Sequence, residues 1–227
     1  MHKQMTLVLA TLAMSAAAFA QTNIWQDGPY QIGIAANLNI GDSETNISND
    51  GVNGGFYTGK NTGSICANVY VFDPSEEEIA CCYCLVTPNG LNSLSAKADL
   101  ISDTLTPAVP QSIVIKIVGS TPSGASVAVG APKVGTGNPA TVTATAGPNG
   151  ITNGLLVWGA TLEPNGSSTY GVVNVPYLNA HLSIGGAVGA PNELSDLTSV
   201  CAFVISQGTG FGQCKSCGLG ALAGGKH

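Results

Sequence analysis

The fold of this 227-residue chain is restricted most strongly by its short apolar segments. These segments are rich in β-branched residues, and Gly, Pro and Asn separate them. This pattern is typical of strands that are joined by turns. The segments span residues 30–40, 64–73, 79–86, 93–100, 112–118, 141–146, 155–162, 170–175 and 178–184. Because the strands are frequent and no helices separate them, they favour antiparallel sheets over a parallel sheet. We therefore predict a mainly β protein, an antiparallel β-sandwich of the immunoglobulin-like or jelly-roll-like kind.

Two stretches are predicted to be loops. Residues 42–63 are polar with few apolar anchors, and residues 121–138 form a Gly/Pro/Ala/Val tract. We interpret the second stretch as a loop or long hairpin, with a linker between two subdomains as the alternative.

One short C-terminal helix is expected near residues 193–206. Asn192 can cap it, and acidic residues in its first turn suit the helix dipole. Apolar residues recur at helical spacing along one face, namely Leu194, Leu197, Cys201, Val204 and Ile205. Glycines after residue 207 are expected to end the helix and begin an irregular tail.

The first twenty residues predict a cleavable signal peptide. A short basic start precedes an apolar stretch, and Ala18-Phe19-Ala20 fits the small residues that signal peptidase requires. Residues 21–207 would then form the β domain, and residues 208–227 a glycine-rich tail that contains cysteines. After cleavage no stretch is long enough to span a membrane. We therefore expect a secreted protein, extracellular or periplasmic.

Charge is scarce in this sequence. Charged residues are 9% of the chain, the net charge is −6, and arginine is absent. Without a basic patch the chain lacks the attraction to phosphates that dominates nucleic-acid binding. We therefore expect no nucleic-acid partner, and anionic membrane surfaces are disfavoured for the same reason.

Seven cysteines fall into two clusters. The first comprises Cys66, Cys81, Cys82 and Cys84, and the second comprises Cys201, Cys214 and Cys217. In an exported chain such cysteines are first interpreted as disulfide partners, with one left over. If 79–86 is a strand, Cys82 and Cys84 face one side and Cys81 the other.

Several disulfide pairings are compatible with this spacing. A bridge from Cys66 to Cys82 or Cys84 would close a hairpin, and Cys201 could reach Cys214 or Cys217. A bridge between the two clusters is also open. A metal or redox site built from both clusters is a weaker alternative, because the paired Cys-x-x-Cys spacing of zinc ribbons is missing. We predict no cofactor.

No catalytic residue can be assigned from the sequence. The nucleophile elbow Gly-x-Ser-x-Gly does not occur, and His181 lies in a strand-like alternation. One acidic run stands out, with the weak calcium candidates Asp73, Glu76, Glu77 and Glu78. The simpler interpretation of this run is an acidic turn between two strands.

Two segments are similar to a pattern that recurs in secreted bacterial proteins. They are residues 65–91, which contain Cys-Cys-Tyr-Cys, and residues 201–217, which end in Cys-Lys-Ser-Cys. Together they cover about a third of the chain. The resemblance implies a bacterial source and a joint importance of the two cysteine clusters. It implies no activity, cofactor or catalytic residue.

These observations favour a non-enzymatic extracellular protein, structural or adhesive, as a subunit of a surface assembly. Its expected partners are further copies of itself or other cell-surface components. A carbohydrate- or small-ligand-binding module is the alternative, suggested by the aromatic residues and the acidic run. A cysteine-ligated metal or redox protein is the third hypothesis.

Overall fold

The computed structural model describes residues 28–54, 63–123, 127–128, 131–132, 137–165, 169–185 and 192–215. The predicted signal peptide and Cys217 lie outside the described residues. The strands are β1 (Tyr30–Ala35), β2 (Glu44–Asn49), β3 (Ile65–Phe72), β4 (Glu78–Val86), β5 (Leu91–Ser95), β6 (Ile113–Ser120), β7 (Val127–Ala128), β8 (Ala131–Pro132), β9 (Leu155–Pro164), β10 (Tyr170–Pro176) and β11 (Leu178–Asn179). One α-helix, α1 (Glu193–Ser206), follows them.

Two antiparallel sheets form the body of the protein. The five-stranded sheet has the order β11-β1-β6-β3-β4, and the four-stranded sheet has the order β10-β9-β2-β5. Strands β7 and β8 form a separate two-stranded pair. This arrangement confirms the predicted mainly β, sandwich-like fold.

The core lies between the two sheets and follows the two-residue period of the strands. Ile113, Ile115 and Ile117 of β6 point inward, and Ile47 of β2 and Leu155 of β9 meet them from the four-stranded sheet. Each fully buried aliphatic side chain contributes about 1.5–3 kcal/mol relative to an exposed one. The alternation that the sequence shows around Ile115 therefore marks the inner face.

A buried glutamine also joins the two sheets. The Gln31 side chain on β1 donates from Nε2 to the Leu155 carbonyl at 2.6 Å, and its Oε1 accepts from the Val157 N–H at 3.0 Å. Both polar ends of the amide are satisfied, so its burial avoids the cost of an unpaired polar group. This contact fixes β1 against β9.

Helix α1 covers the outer face of the five-stranded sheet. Its buried residues Leu194, Leu197, Cys201 and Val204 pack in a cluster with Tyr70 and Val118 of the sheet. The predicted cap is confirmed, because the Ser195 N–H donates to Asn192 Oδ1 at 3.0 Å. Ile205 is 40% exposed, so the buried face is narrower than predicted. No helix among the described residues is long and apolar enough to cross a membrane.

The prediction that residues 42–63 form a loop is wrong at its beginning, where β2 lies in the middle of the four-stranded sheet. Only Ile47 in this strand is a large apolar residue. Its other buried side chains are polar and hydrogen-bonded, as between Thr45 Oγ1 and the Tyr177 hydroxyl at 2.9 Å. Hydrophobic patterning cannot detect a strand whose burial depends on such bonds.

Four predicted strands are shorter than expected or absent. The strand predicted at 30–40 ends at Ala35. In the 93–100 segment the strand ends at Ser95, whose side chain caps a π-helical turn over Ala96–Leu100. Residues 141–146 form no strand, and the first of them, Thr141, ends a 3-10 turn over Pro139–Thr141. Only Leu178–Asn179 pair within 178–184, and His181 is exposed beyond them. The division into subdomains near 121–138 stays a prediction.

Candidate functional site

Strand β4 carries three cysteines and directs them to opposite faces. Cys82 and Cys84 join the core between the sheets, whereas Cys81 joins the cluster beneath α1. This confirms the predicted division of the side chains. Cys81 is bonded to Cys201 of α1 with a Cα–Cα distance of 5.8 Å, and Cys82 is bonded to Cys214 with 5.4 Å.

The predicted bridges within one cluster are wrong for Cys82, Cys201 and Cys214. The Cys81–Cys201 and Cys82–Cys214 bridges each join the first cluster to the second. Cys66 does not form the predicted hairpin bridge to Cys82 or Cys84. It pairs with Leu85 across β3 and β4, and its side chain lies on the outer face of the sheet, whereas Cys82 and Cys84 lie in the core. Cys66 is free and buried, whereas Cys84 is disulfide-bonded. Since Cys214 is bonded to Cys82, its sulfur is not a free thiol for the metal or redox site that was the weaker alternative.

The C-terminal segment covers the free edge of β4. The Cys81 N–H donates to the Gly212 carbonyl at 2.8 Å, and the Cys214 N–H donates to the Cys81 carbonyl at 3.4 Å. The Leu105 N–H also donates to the Ile79 carbonyl at 3.1 Å. An edge strand offers unpaired backbone groups to other chains. Here the bridged segment occupies the N–H and C=O of Cys81, and Leu105 occupies the carbonyl of Ile79.

A buried carboxyl group lies beside the Cys81–Cys201 bridge. A Glu78 carboxylate oxygen and the two Sγ atoms lie within 4.8 Å of one another. Glu78 is 8% exposed, and neither of its oxygens has a hydrogen-bond partner. Burial raises the pKa of Glu78 to about 8, with Lys116 opposing the rise and Glu193 adding to it. The two sulfurs are bonded to each other, so they are not the thiolates that a metal requires.

Polar groups at the start of α1 surround Glu78. Lys116 of β6 forms an ion pair with Glu193 and lies 4.5 Å from the centroid of the Phe72 ring. The Tyr30 hydroxyl also donates to Glu193 at 3.3 Å. Burial and the charge of Glu193 raise the pKa of Tyr30. This cluster therefore combines the ion pair of Lys116 and Glu193 with one buried carboxyl, Glu78, whose pKa is raised.

The remaining acidic candidates form a turn. The Asp73 carboxylate accepts from the Ser75 N–H at 2.8 Å and from the Glu77 N–H at 3.0 Å. Glu76 has a positive φ of 68° at the tip. Glu78 points beneath α1 instead, so the structure separates it from this turn. Within the described part of the chain, these four carboxylates do not form a group of three within ligand distance.

A groove of about 340 Å³ lies on the outer side of the four-stranded sheet. Its lining combines carboxylates and hydroxyls with the apolar side chains of Leu162 and Val172. Much of the polar lining serves the adjacent turn, because Asp42 accepts from the Lys97 N–H at 3.0 Å and Asp99 from the Ser95 N–H at 2.8 Å. Aromatic residues do not line the groove. The structure thus forms no sugar-stacking platform there.

Strand β10 is an edge of the four-stranded sheet and pairs only with β9 among the described strands. Its sequence, Tyr-Gly-Val-Val-Asn-Val-Pro, contains no charged residue. Val172 is 69% exposed, and Tyr170, Val173 and Val175 are also exposed. Proteins commonly protect such an edge with charges, bulges or a covering segment. Apart from the proline at its end, β10 shows no such device in the described structure.

The hydrogen bonds around β10 determine which of its backbone groups point outward. The Asn165 N–H donates to the Thr169 carbonyl at 2.8 Å, and the Tyr177 N–H donates to the Val157 carbonyl at 3.1 Å. In antiparallel pairs, residues alternate between bonding the neighbouring strand and facing away from it. The odd-numbered residues of β10 therefore bond β9. The N–H and C=O groups of Tyr170, Val172 and Asn174 face outward.

Pro176 occupies the next outward-facing position of β10. Proline has no N–H, so its place at an edge costs no bond to β9. This terminal proline was visible in the sequence as a sign of an edge strand. Which of the predicted strands lies at an edge, however, depends on the sheet order.

We expect loss of the Cys81–Cys201 bridge to destabilise the protein. The Cys81→Ala/Cys201→Ala variant should lose about 2–4 kcal/mol of unfolding free energy, since the bridge closes a long loop. Urea unfolding followed by circular dichroism measures this loss. Cys66→Ala is the control, because it removes a buried sulfur without a bridge. An equal loss in both variants would contradict the role assigned to the bridge.

We expect Glu78 to make the stability depend on pH. Below about pH 4.5 the carboxyl is protonated in both states, so it has no effect. Between pH 4.5 and 8 the unfolded chain releases the proton and the folded chain keeps it, so stability falls by up to about 1.4 kcal/mol per pH unit. Urea unfolding of Glu78→Gln across this range should show a flatter profile. The exposed residue Glu77 supplies the control, Glu77→Gln. Identical profiles for the wild type and Glu78→Gln would refute this role.

Cys66 should resist thiol reagents in the folded protein. Burial raises the pKa of its thiol to about 12, and only the thiolate is nucleophilic. Mass spectrometry after iodoacetamide treatment at pH 8 should find Cys66 unmodified in the native protein and modified in denaturant. Rapid labelling of the native protein would show that the thiol is accessible.

Similarity to known proteins adds no assignment to these sites. The chain matches no protein-family model, no curated protein and no solved structure. The resemblance of its cysteine segments to secreted bacterial proteins stays a prediction. Function must therefore be inferred from the described residues themselves, above all from the uncovered edge at β10.

Proposed function

We propose that this chain is a secreted, non-enzymatic structural or adhesive β protein that acts as a subunit of a surface assembly. The observation that carries this proposal is the exposed edge of β10, which has outward N–H and C=O groups and no charge. An edge of this kind is a template for strand addition from another chain.

The contrast between the sheet edges supports the proposal. The edge of β4 is covered by the C-terminal segment, which the Cys82–Cys214 bridge holds in place. The opposite edge of that sheet is β11, which has only two residues. β10 has seven residues and no cover within the described structure. Of these three edges, β10 is the one that is long and without a cover in the described structure.

Composition and disulfides support an extracellular setting for such an assembly. Disulfides persist in oxidising compartments, and the predicted signal peptide agrees with export. With charged residues at only 9%, contacts between subunits would depend on backbone hydrogen bonds and apolar burial rather than on ion pairs.

We expect the purified protein to associate in solution, and Val172→Lys to weaken that association. A lysine at the edge opposes strand addition, and a tenfold loss corresponds to about 1.4 kcal/mol. Sedimentation velocity and electron microscopy measure the assembly. Val109→Lys is the matched control, because Val109 is also 69% exposed and lies outside the strands. A strictly monomeric wild type would refute the proposal.

A small-ligand-binding module is the second candidate, and the groove on the four-stranded sheet favours it. Its hydroxyls and carboxylates could bind a carbohydrate or another polar ligand above Leu162 and Val172. A glycan array and a calcium titration test this candidate. Binding that Ser93→Val abolishes would support it, and no binding in either assay would count against it.

A further inference from the structure

We infer that the partner of β10 is β10 of a second copy, paired antiparallel about a two-fold axis at Val172. This inference rests on the proposed function, since it names the partner and the register of that assembly. Two four-stranded sheets would then join into one continuous sheet across the two copies.

The register follows from the backbone groups that face outward. Hydrogen-bonded pairs must join outward-facing residues of both copies, which are Tyr170, Val172 and Asn174 in each. With the axis at Val172, Tyr170 faces Asn174 of the second copy and Val172 faces its own counterpart. All three outward positions are then used, giving about six backbone hydrogen bonds, two for each facing pair.

The neighbouring registers are less complete. With the axis at Val173, Pro176 would face Tyr170 of the other copy, and its missing N–H would leave the Tyr170 carbonyl unpaired. With the axis at Gly171, Asn174 would have no partner within β10. The register centred on Val172 gives about as many hydrogen bonds as the one centred on Val173, two for each facing pair. It alone leaves no N–H or C=O of Tyr170, Val172 or Asn174 unpaired, and it keeps Pro176 of both copies out of the pairing.

The side chains of β10 also suit pairing with an identical strand. On one face the two Val172 side chains would meet at the axis, which removes exposed apolar surface from water. On the other face Val173 would lie opposite Gly171, so bulk meets a small residue. No charge on β10 repels the copy beside it. Since each whole chain carries a net charge of −6, added salt should strengthen the association by screening.

Cysteine crosslinking tests this register. In the proposed pair the two residues at position 172 have a Cα separation of about 5.5 Å, which a disulfide can span. Oxidised glutathione converts two such thiols into an intermolecular disulfide and is itself reduced to two glutathione thiols. Val172→Cys should therefore crosslink to itself. Tyr170→Cys and Asn174→Cys should each crosslink poorly alone, but well when the two are mixed.

Val109→Cys is the control for random collision, since Val109 matches Val172 in exposure. We expect at least about tenfold less crosslinking from it, as for a tenfold weaker association. If the wild type assembles but Gly171→Cys or Val173→Cys self-crosslinks instead, this register is refuted and the proposed function stands. A monomeric wild type refutes both. Equal crosslinking of Val109→Cys and Val172→Cys would refute a specific pair at β10.

Discussion

The disulfides at Cys81 and Cys82 leave β4 from opposite faces, and much of the outer structure depends on them. Cys81 holds α1 against the outer face of the five-stranded sheet, and Cys82 holds the segment around Cys214 along the edge of β4. Each bridge joins parts of the chain that are more than a hundred residues apart. Such long loops lose much entropy when they close, so the covalent link stabilises contacts that backbone bonds alone would hold weakly.

The bridge at Cys81 also permits an unusual polar interior beneath α1. Glu78 is buried without a hydrogen-bond partner, which costs stability, and it stays neutral because burial raises its pKa. Lys116 is already paired with Glu193 and also contacts the ring of Phe72. The bridge through Cys201 keeps α1 on the sheet in spite of the unfavourable burial of Glu78, which side-chain packing alone would offset less fully. The bridge and the buried acid are thus parts of one arrangement.

Sequence patterns predicted the elements that repeat apolar residues. The alternation at Ile113, Ile115 and Ile117 identified β6, and the spacing from Leu194 to Val204 identified α1 and its Asn192 cap. They failed for β2, where hydrogen-bonded polar side chains take the place of apolar ones. They also failed to choose the disulfide partners, because the side on which Cys66 lies relative to Cys82 depends on the pairing of β3 with β4.

The sequence by itself determined the class of the fold, the faces of strands such as β4 and β6, and the presence of paired cysteines, since these depend on local periodicity and composition. Only the tertiary structure decided which cysteines meet, because that depends on where α1 and the C-terminal segment lie against β4. It also decided that β4 is covered while β10 is open. The order of strands in a sheet depends on pairing between segments that are far apart in the sequence. No local pattern could therefore show whether β4 or β10 would be left with backbone groups facing outward.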